Sequence, residues 1–227
     1  MNLLSRSTVA AVAALTAACA AVAPALGGAS HCAQTYSYAG VRSIEARYGV
    51  GARISTLRAP TVAAGHVAAW VGVGGSGLGA HGSTEWLQAG ISAKLGEDPA
   101  LYYEVARPGR KPRYVMLKGH LPLGRSYDVA VLESRDHPGE WRVWVNGDQM
   151  TSRIHLPGSH GAWRPTATAE SWNDNSGICN AFSFQFANVA VAATPGGGWQ
   201  PMRGRVLADA GYKVEHPNST SLVALGG

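Results

Sequence analysis

Beyond its first 25 residues this sequence has no stretch of helical hydrophobic periodicity longer than about two turns. That removes the all-α classes and the folds that alternate strands with crossover helices. Charge is also scarce, at 15% of 227 residues, while glycine is plentiful at 29. A low-charge, Gly-rich, strand-like composition argues against disorder. The 19 Lys and Arg exceed the 14 Asp and Glu, giving a net charge of +5. They are scattered, and the densest run, Arg107 to Arg113, falls in a Pro/Gly turn. It reads as a solvated loop, with no footprint for nucleic acid or a membrane surface.

Metal and nucleophile motifs are missing too. The eight histidines include no H-E-x-x-H and no paired ligand spacing. His66, His81, His155 and His160 fall at strand ends or in loops and read as surface residues. No Ser/His/Asp arrangement can be argued from spacing. Gly72, Gly74 and Gly77 spell G-x-G-x-x-G, but a dinucleotide site needs a helix after it, and none follows. Ser76 lacks the glycine two residues later that a nucleophile elbow requires.

Cysteine is limited to three. Cys19 lies in an N-terminal stretch that reads as a secretory leader. Arg6 is its basic part, Val9 to Val22 its apolar part, and Ala23-Pro24-Ala25 a small-x-small cleavage site. Lipid attachment at Cys19 is the second reading, because Leu15 sits one position too far upstream of the usual pattern. Cys32 and Cys179 then remain as an even pair in an oxidising compartment, and the expectation is a disulfide between them. No second apolar span follows, so an exported monomer without a membrane partner is expected. The domain plan is a leader over 1–25, one β-sandwich over 26–202 and a C-terminal extension over 203–227.

What is present is alternation. Residues 26–40 are small and polar and read as an arm tied down at Cys32, and 41–62 as short apolar runs broken by Gly and Pro. Strands are expected over about 66–74, 84–94, 100–106, 112–118, 126–134, 163–172 and 181–193. Asn146-Gly147 between two alternating runs marks a tight hairpin. Many short strands with turn signals between them give an all-β antiparallel sandwich or barrel.

In 85–92, Leu87, Ala89 and Ile91 fall on one face; Trp86, Gln88 and Ser92 fall on the other. In 101–106, Leu101, Tyr103 and Val105 alternate with Tyr102 and Glu104. In 67–73, the valines and Ala69 alternate with Ala68 and Trp70. One shared sheet would carry a dry core on one side. On the other would lie a groove holding Trp70, Trp86, Gln88, Tyr102 and Glu104. A solvated strand face is the plainer alternative. Thr166, Thr168, Glu170 and Trp172 also share a face, placing a carboxylate beside a large aromatic. Desolvation there could tune Glu170 as an acid or base; an edge-strand glutamate in solvent is the alternative.

These residues resemble a family. “AAWVGVGG” at 68–75, “EWLQAG” at 85–90, “LYYEVARPG” at 101–109 and “TATAESW” at 166–172 are similar, in order, to the glutamic peptidases, or eqolisins. The spacing of Gln88 from Glu104 is also the family's, and the resemblance spans about residues 55–192. It implies a concanavalin-like sandwich of two antiparallel sheets with a site on the concave face. It implies Gln88 and Glu170 as the catalytic pair, Trp70 and Glu104 beside them, a polypeptide substrate, and no metal or cofactor. Trp86, Tyr102 and Trp172 complete the expected substrate-binding set. Three departures stand out. Gly74 and Ser92 occupy positions where the family carries aspartates, and Ser171 separates Glu170 from Trp172, which the family places directly after the glutamate. Two other readings stay open: a groove that binds a glycan or peptide without turnover, and a glycosidase using Glu104 and Glu170.

Overall fold

A computed structural model describes Cys32 and residues 36–227; the expected leader, with Cys19, lies outside the described residues. In chain order the strands are Tyr36–Ser43 (β1), Gly49–Thr61 (β2), His66–Gly75 (β3), Glu85–Lys94 (β4), Ala100–Ala106 (β5), Arg113–Lys118 (β6), Ser126–Glu133 (β7) and Glu140–Val145 (β8). Then come Asp148–Gln149 (β9), Ile154–His155 (β10), Thr166–Trp172 (β11), Ala181–Thr194 (β12), Gly197–Pro201 (β13), Gly204–Ala208 (β14), Tyr212–Asn218 (β15) and Ser221–Gly226 (β16). One sheet has seven strands in the order β14-β1-β11-β3-β4-β5-β6. The other has nine, in the order β10-β8-β7-β2-β12-β16-β15, with β9 on β8 and β13 on β12. All pairings are antiparallel, and the two sheets form a sandwich.

Period-two alternation decides which side of each strand is dry. The first sheet sends Val67, Ala69, Val71, Leu87, Ile91 and Val105 inward. The second answers with Ile54, Tyr127, Val143, Trp141, Phe184 and Phe186. Each large apolar side chain buried this way contributes roughly 1.5–3 kcal/mol. Phe182, Phe184 and Phe186 share the inner face as expected. The face then flips. Register shifts between Ala187 and Ala190, with Asn188 at a positive φ of 55°, so Val189 and Val191 point inward beyond it. A bulge of this kind inserts one residue and re-aims the strand. The hairpin at Asn146-Gly147 is a two-residue loop between β8 and β9, with both φ angles positive at 52° and 87°, as tight hairpin turns require.

Three stretches hold more strand than the sequence reading gave them. The 26–40 arm contains most of a strand, β1, which pairs with both β11 and β14. Its inward residues are Ser37, Ala39 and Val41, too small and mixed to give an apolar alternation. The 41–62 run holds the long β2, whose inward Val50, Ala52 and Ile54 are interrupted by Gly49 and Gly51. The final stretch, set apart as an extension, pairs into both sheets: β14 alongside β1, and β16 alongside β12. Leu222 and Ala224 of β16 are fully part of the core.

Cys32 and Cys179 form a disulfide, across a sequence separation of 147. Cys32 also donates its backbone N–H to Gly177 O at 3.2 Å. Next to Cys179, buried Asn180 donates to Trp172 O, Ser171 Oγ and Ala64 O at 3.2, 3.1 and 2.9 Å. These bonds tie the end of β11 to the turn before β3.

Candidate active site

The outer face of the seven-stranded sheet carries the even-numbered residues of β3, β4, β5 and β11. They floor a cavity of about 630 Å³. Trp70, Trp86, Gln88, Glu104 and Glu170 all line it, with His66 beside them. The register explains the convergence. Gln88 stands opposite Glu104 on β5 and opposite Gly72 on β3. Glu170 stands opposite Ala68 on the other side of β3. One strand therefore separates Gln88 from Glu170, and both point the same way. Strands β3 and β4 run very close here. A Cβ added to Gly90, the last residue of “EWLQAG”, would lie 1.9 Å from Ala69 O, so only glycine fits under Trp70.

Glu170 is only 6% exposed, and each carboxylate oxygen has a partner. Trp70 Nε1–H donates to Oε2 at 3.2 Å, and His66 Nε2 lies 3.1 Å from Oε1. A carboxylate this far out of water needs such donors. The His66 ring is itself held, 6.0 Å from the Tyr36 ring and 5.6 Å from the Trp172 ring, which stack on each other.

Gln88 is 8% exposed. Its Nε2 donates to Tyr102 OH at 3.1 Å and, more weakly, to Glu104 Oε2 at 3.4 Å. Tyr102 stacks under Tyr114 with ring centroids 5.1 Å apart. Ser92, at a family aspartate position, bonds Tyr114 OH at 2.9 Å. The amide is thus fixed from behind, with one strong bond and one long one.

Burial pushes the Glu104 carboxyl above its ordinary range; Glu170 adds to the rise and His66 opposes it. Burial, with Glu170 next, also raises the Tyr36, Tyr38 and Tyr102 phenols, which stay neutral hydrogen-bonding groups. The sign for stability follows from linkage. A carboxyl raised by folding binds its proton more tightly in the native state, so stability falls as pH rises from the unfolded value through the folded one. Glu104→Gln removes that loss and keeps an oxygen for Gln88. The variant should gain on the parent in urea unfolding near about pH 7, and the gain should vanish near about pH 4 or below.

Of the expected substrate-binding residues, two do not line the cavity. Tyr102 is on the groove face but only 2% exposed, covered by Tyr114, so it braces Gln88. Trp172 is outside the cavity lining and backs His66. His66, read from sequence as a surface residue, is instead Glu170's partner. The same alternation extended one step back, 66-68-70, would have placed it on the groove face. Tyr36, Tyr38 and Arg42 of β1 and Leu207 of β14 also line the cavity. Their strands carried no readable pattern. Among the described residues no group of three or more His, Cys, Asp or Glu is placed to hold a metal ion.

No family model matches the chain, and no curated protein matches it in sequence. Solved structures do match. A scytalido-glutamic peptidase with a peptide-based transition-state analogue aligns at TM-score 0.54 and 14% identity, over 84% of this chain and 97% of that one. The same peptidase with a transition-state analogue inhibitor aligns at 0.53 and 15%, over 83% and 97%. SCP-B, a member of the eqolisin family of peptidases, in complex with the tripeptide Ala-Ile-His, aligns at 0.51 and 14%, over 84% and 96%. The fold is therefore that of the glutamic peptidases over most of the chain.

Proposed function

We infer that this protein is an exported endopeptidase of the glutamic type, with Glu170 and Gln88 as its catalytic pair. The observation that carries this reading is their convergence: both are desolvated, and both face one cavity on a fold shared with peptidases. Ionised Glu170 takes a proton from water as the water oxygen attacks the peptide carbonyl carbon. The carbonyl oxygen becomes an oxyanion, and the Gln88 amide donates to it. Glu170, now protonated, gives its proton to the leaving nitrogen as the C–N bond breaks. The products are a carboxyl group and an amine.

The surroundings support these roles. Trp70 and His66 hold one partner on each oxygen of Glu170. Each oxygen has a second lone pair, which leaves room for a water. The long bond from Gln88 to Glu104 is the one a substrate oxygen would replace, while Tyr102 keeps the amide aimed. The aromatic walls suit a polypeptide, and the disulfide suits an oxidising compartment. Among the described residues no helix is long and apolar enough to cross a membrane. Gln88→Ala should lower kcat by about 10²–10³, the usual cost of one oxyanion donor. Steady-state kinetics on a quenched fluorescent peptide measures it, and an unchanged kcat would remove Gln88 from the mechanism.

A further inference from the structure

We propose that the groove receives an acidic side chain of its substrate on Arg42 and Arg205, at the edge formed by β1 and β14. The peptides cut would then carry Asp or Glu a short distance from the scissile bond. This rests on the peptidase reading above.

Arg42 lines the cavity, and its Nε is buried with no hydrogen-bond partner. Directly across the ladder stands the exposed Arg205, whose side chain leaves the same face of the sheet at the rim of the groove. Like charges placed opposite one another repel. Among the described residues neither one takes part in an ion pair, whereas Arg53 grips Asp128 with two bonds of 2.9 Å and Arg47 pairs with Glu45. A guanidinium at the groove with no carboxylate partner of its own is free to take one from a ligand. The guanidinium fork matches a carboxylate.

The rest of the groove sets the direction. Its two carboxylates, Glu104 and Glu170, lie away from this edge; Glu170 is opposite Tyr38, four positions along β1 from Arg42. An acidic side chain is repelled from the catalytic centre and drawn to the β1–β14 end. Leu207, on the same face and next to Arg205 in alternation, offers apolar surface for its methylene groups. Thr166, opposite Arg42 on β11, adds a hydroxyl at the same level.

The test uses pairs of quenched peptides identical except for Glu or Gln at one position flanking the cut. At one position or more the parent should favour Glu by about tenfold in kcat/KM, the effect expected of a hydrogen bond to a charged group. Arg42→Gln should bring that ratio close to one, and Arg205→Gln, at an exposed position, should move it the same way. Arg42→Glu should reverse it in favour of Gln. A parent ratio near one at every position, or a ratio unmoved in all three folded variants, overturns the proposal. If no peptide is cut, binding of the same pairs is read by tryptophan fluorescence. Glu-dependent binding lost in Arg42→Gln then upholds the anion subsite and removes the peptidase; equal binding of both peptides overturns the subsite itself.

Discussion

Glu170→Gln should give a folded protein that has lost peptide cleavage, with a rate at least about 10²–10⁴ below the parent, the range assigned to a positioned base. The substitution preserves shape and leaves an oxygen to accept from Trp70 Nε1, so β11 should keep its place against β3. The interaction with His66 loses its charge but not its geometry. What disappears is the capacity to take a proton from water. Circular dichroism and thermal unfolding should therefore resemble the parent while turnover vanishes. The cavity lining holds one other carboxylate, Glu104. If Glu170→Gln stays active, Glu104 becomes the base to test.

Removing the disulfide should have the largest effect on stability. Cys32 and Cys179 close a loop across 147 positions, for which the chain-entropy model gives about 5 kcal/mol at most. A loss of that order is comparable with the whole stability of many domains, about 5–15 kcal/mol. The damage should also reach the site. Cys179 adjoins Asn180, whose side chain holds Trp172, Ser171 and the turn before β3. Those contacts fix the strand end that carries Glu170 and Trp172. The double variant Cys32→Ser, Cys179→Ser should unfold at much lower urea and cleave more slowly even below its midpoint. Thiol labelling of the unfolded parent without reductant should find neither cysteine free.

The groove face of β4 and β5 was legible because bulky apolar residues alternate with polar ones over several steps. Leu87, Ala89 and Ile91 behind Gln88, and Leu101, Tyr103 and Val105 behind Glu104, give an unambiguous parity. The pairing of Cys32 with Cys179 followed from arithmetic. Strand β1 was not legible, since Ser37 and Ala39 face inward where an apolar signal would be needed. In β12, the bulge at Asn188 breaks the parity that its phenylalanines establish. His66 was missed for a different reason. Its partner Glu170 is 104 positions away, and nothing local says that β11 inserts beside β3. Long-range pairing likewise brings Arg42 to the groove, with Arg205 opposite it at the rim, from strands that carry no motif. Local patterning assigns faces; sheet order assigns neighbours.

The most direct measurement is digestion. The protein is incubated with a denatured protein from about pH 2 to pH 8, a range wide enough to bracket ionisation of a catalytic carboxyl, and the products are read by mass spectrometry. A glutamic peptidase gives new internal peptide termini over part of that range, and none with Glu170→Gln. An intact substrate at every pH, or the same fragments from the Glu170→Gln variant, would contradict the assignment.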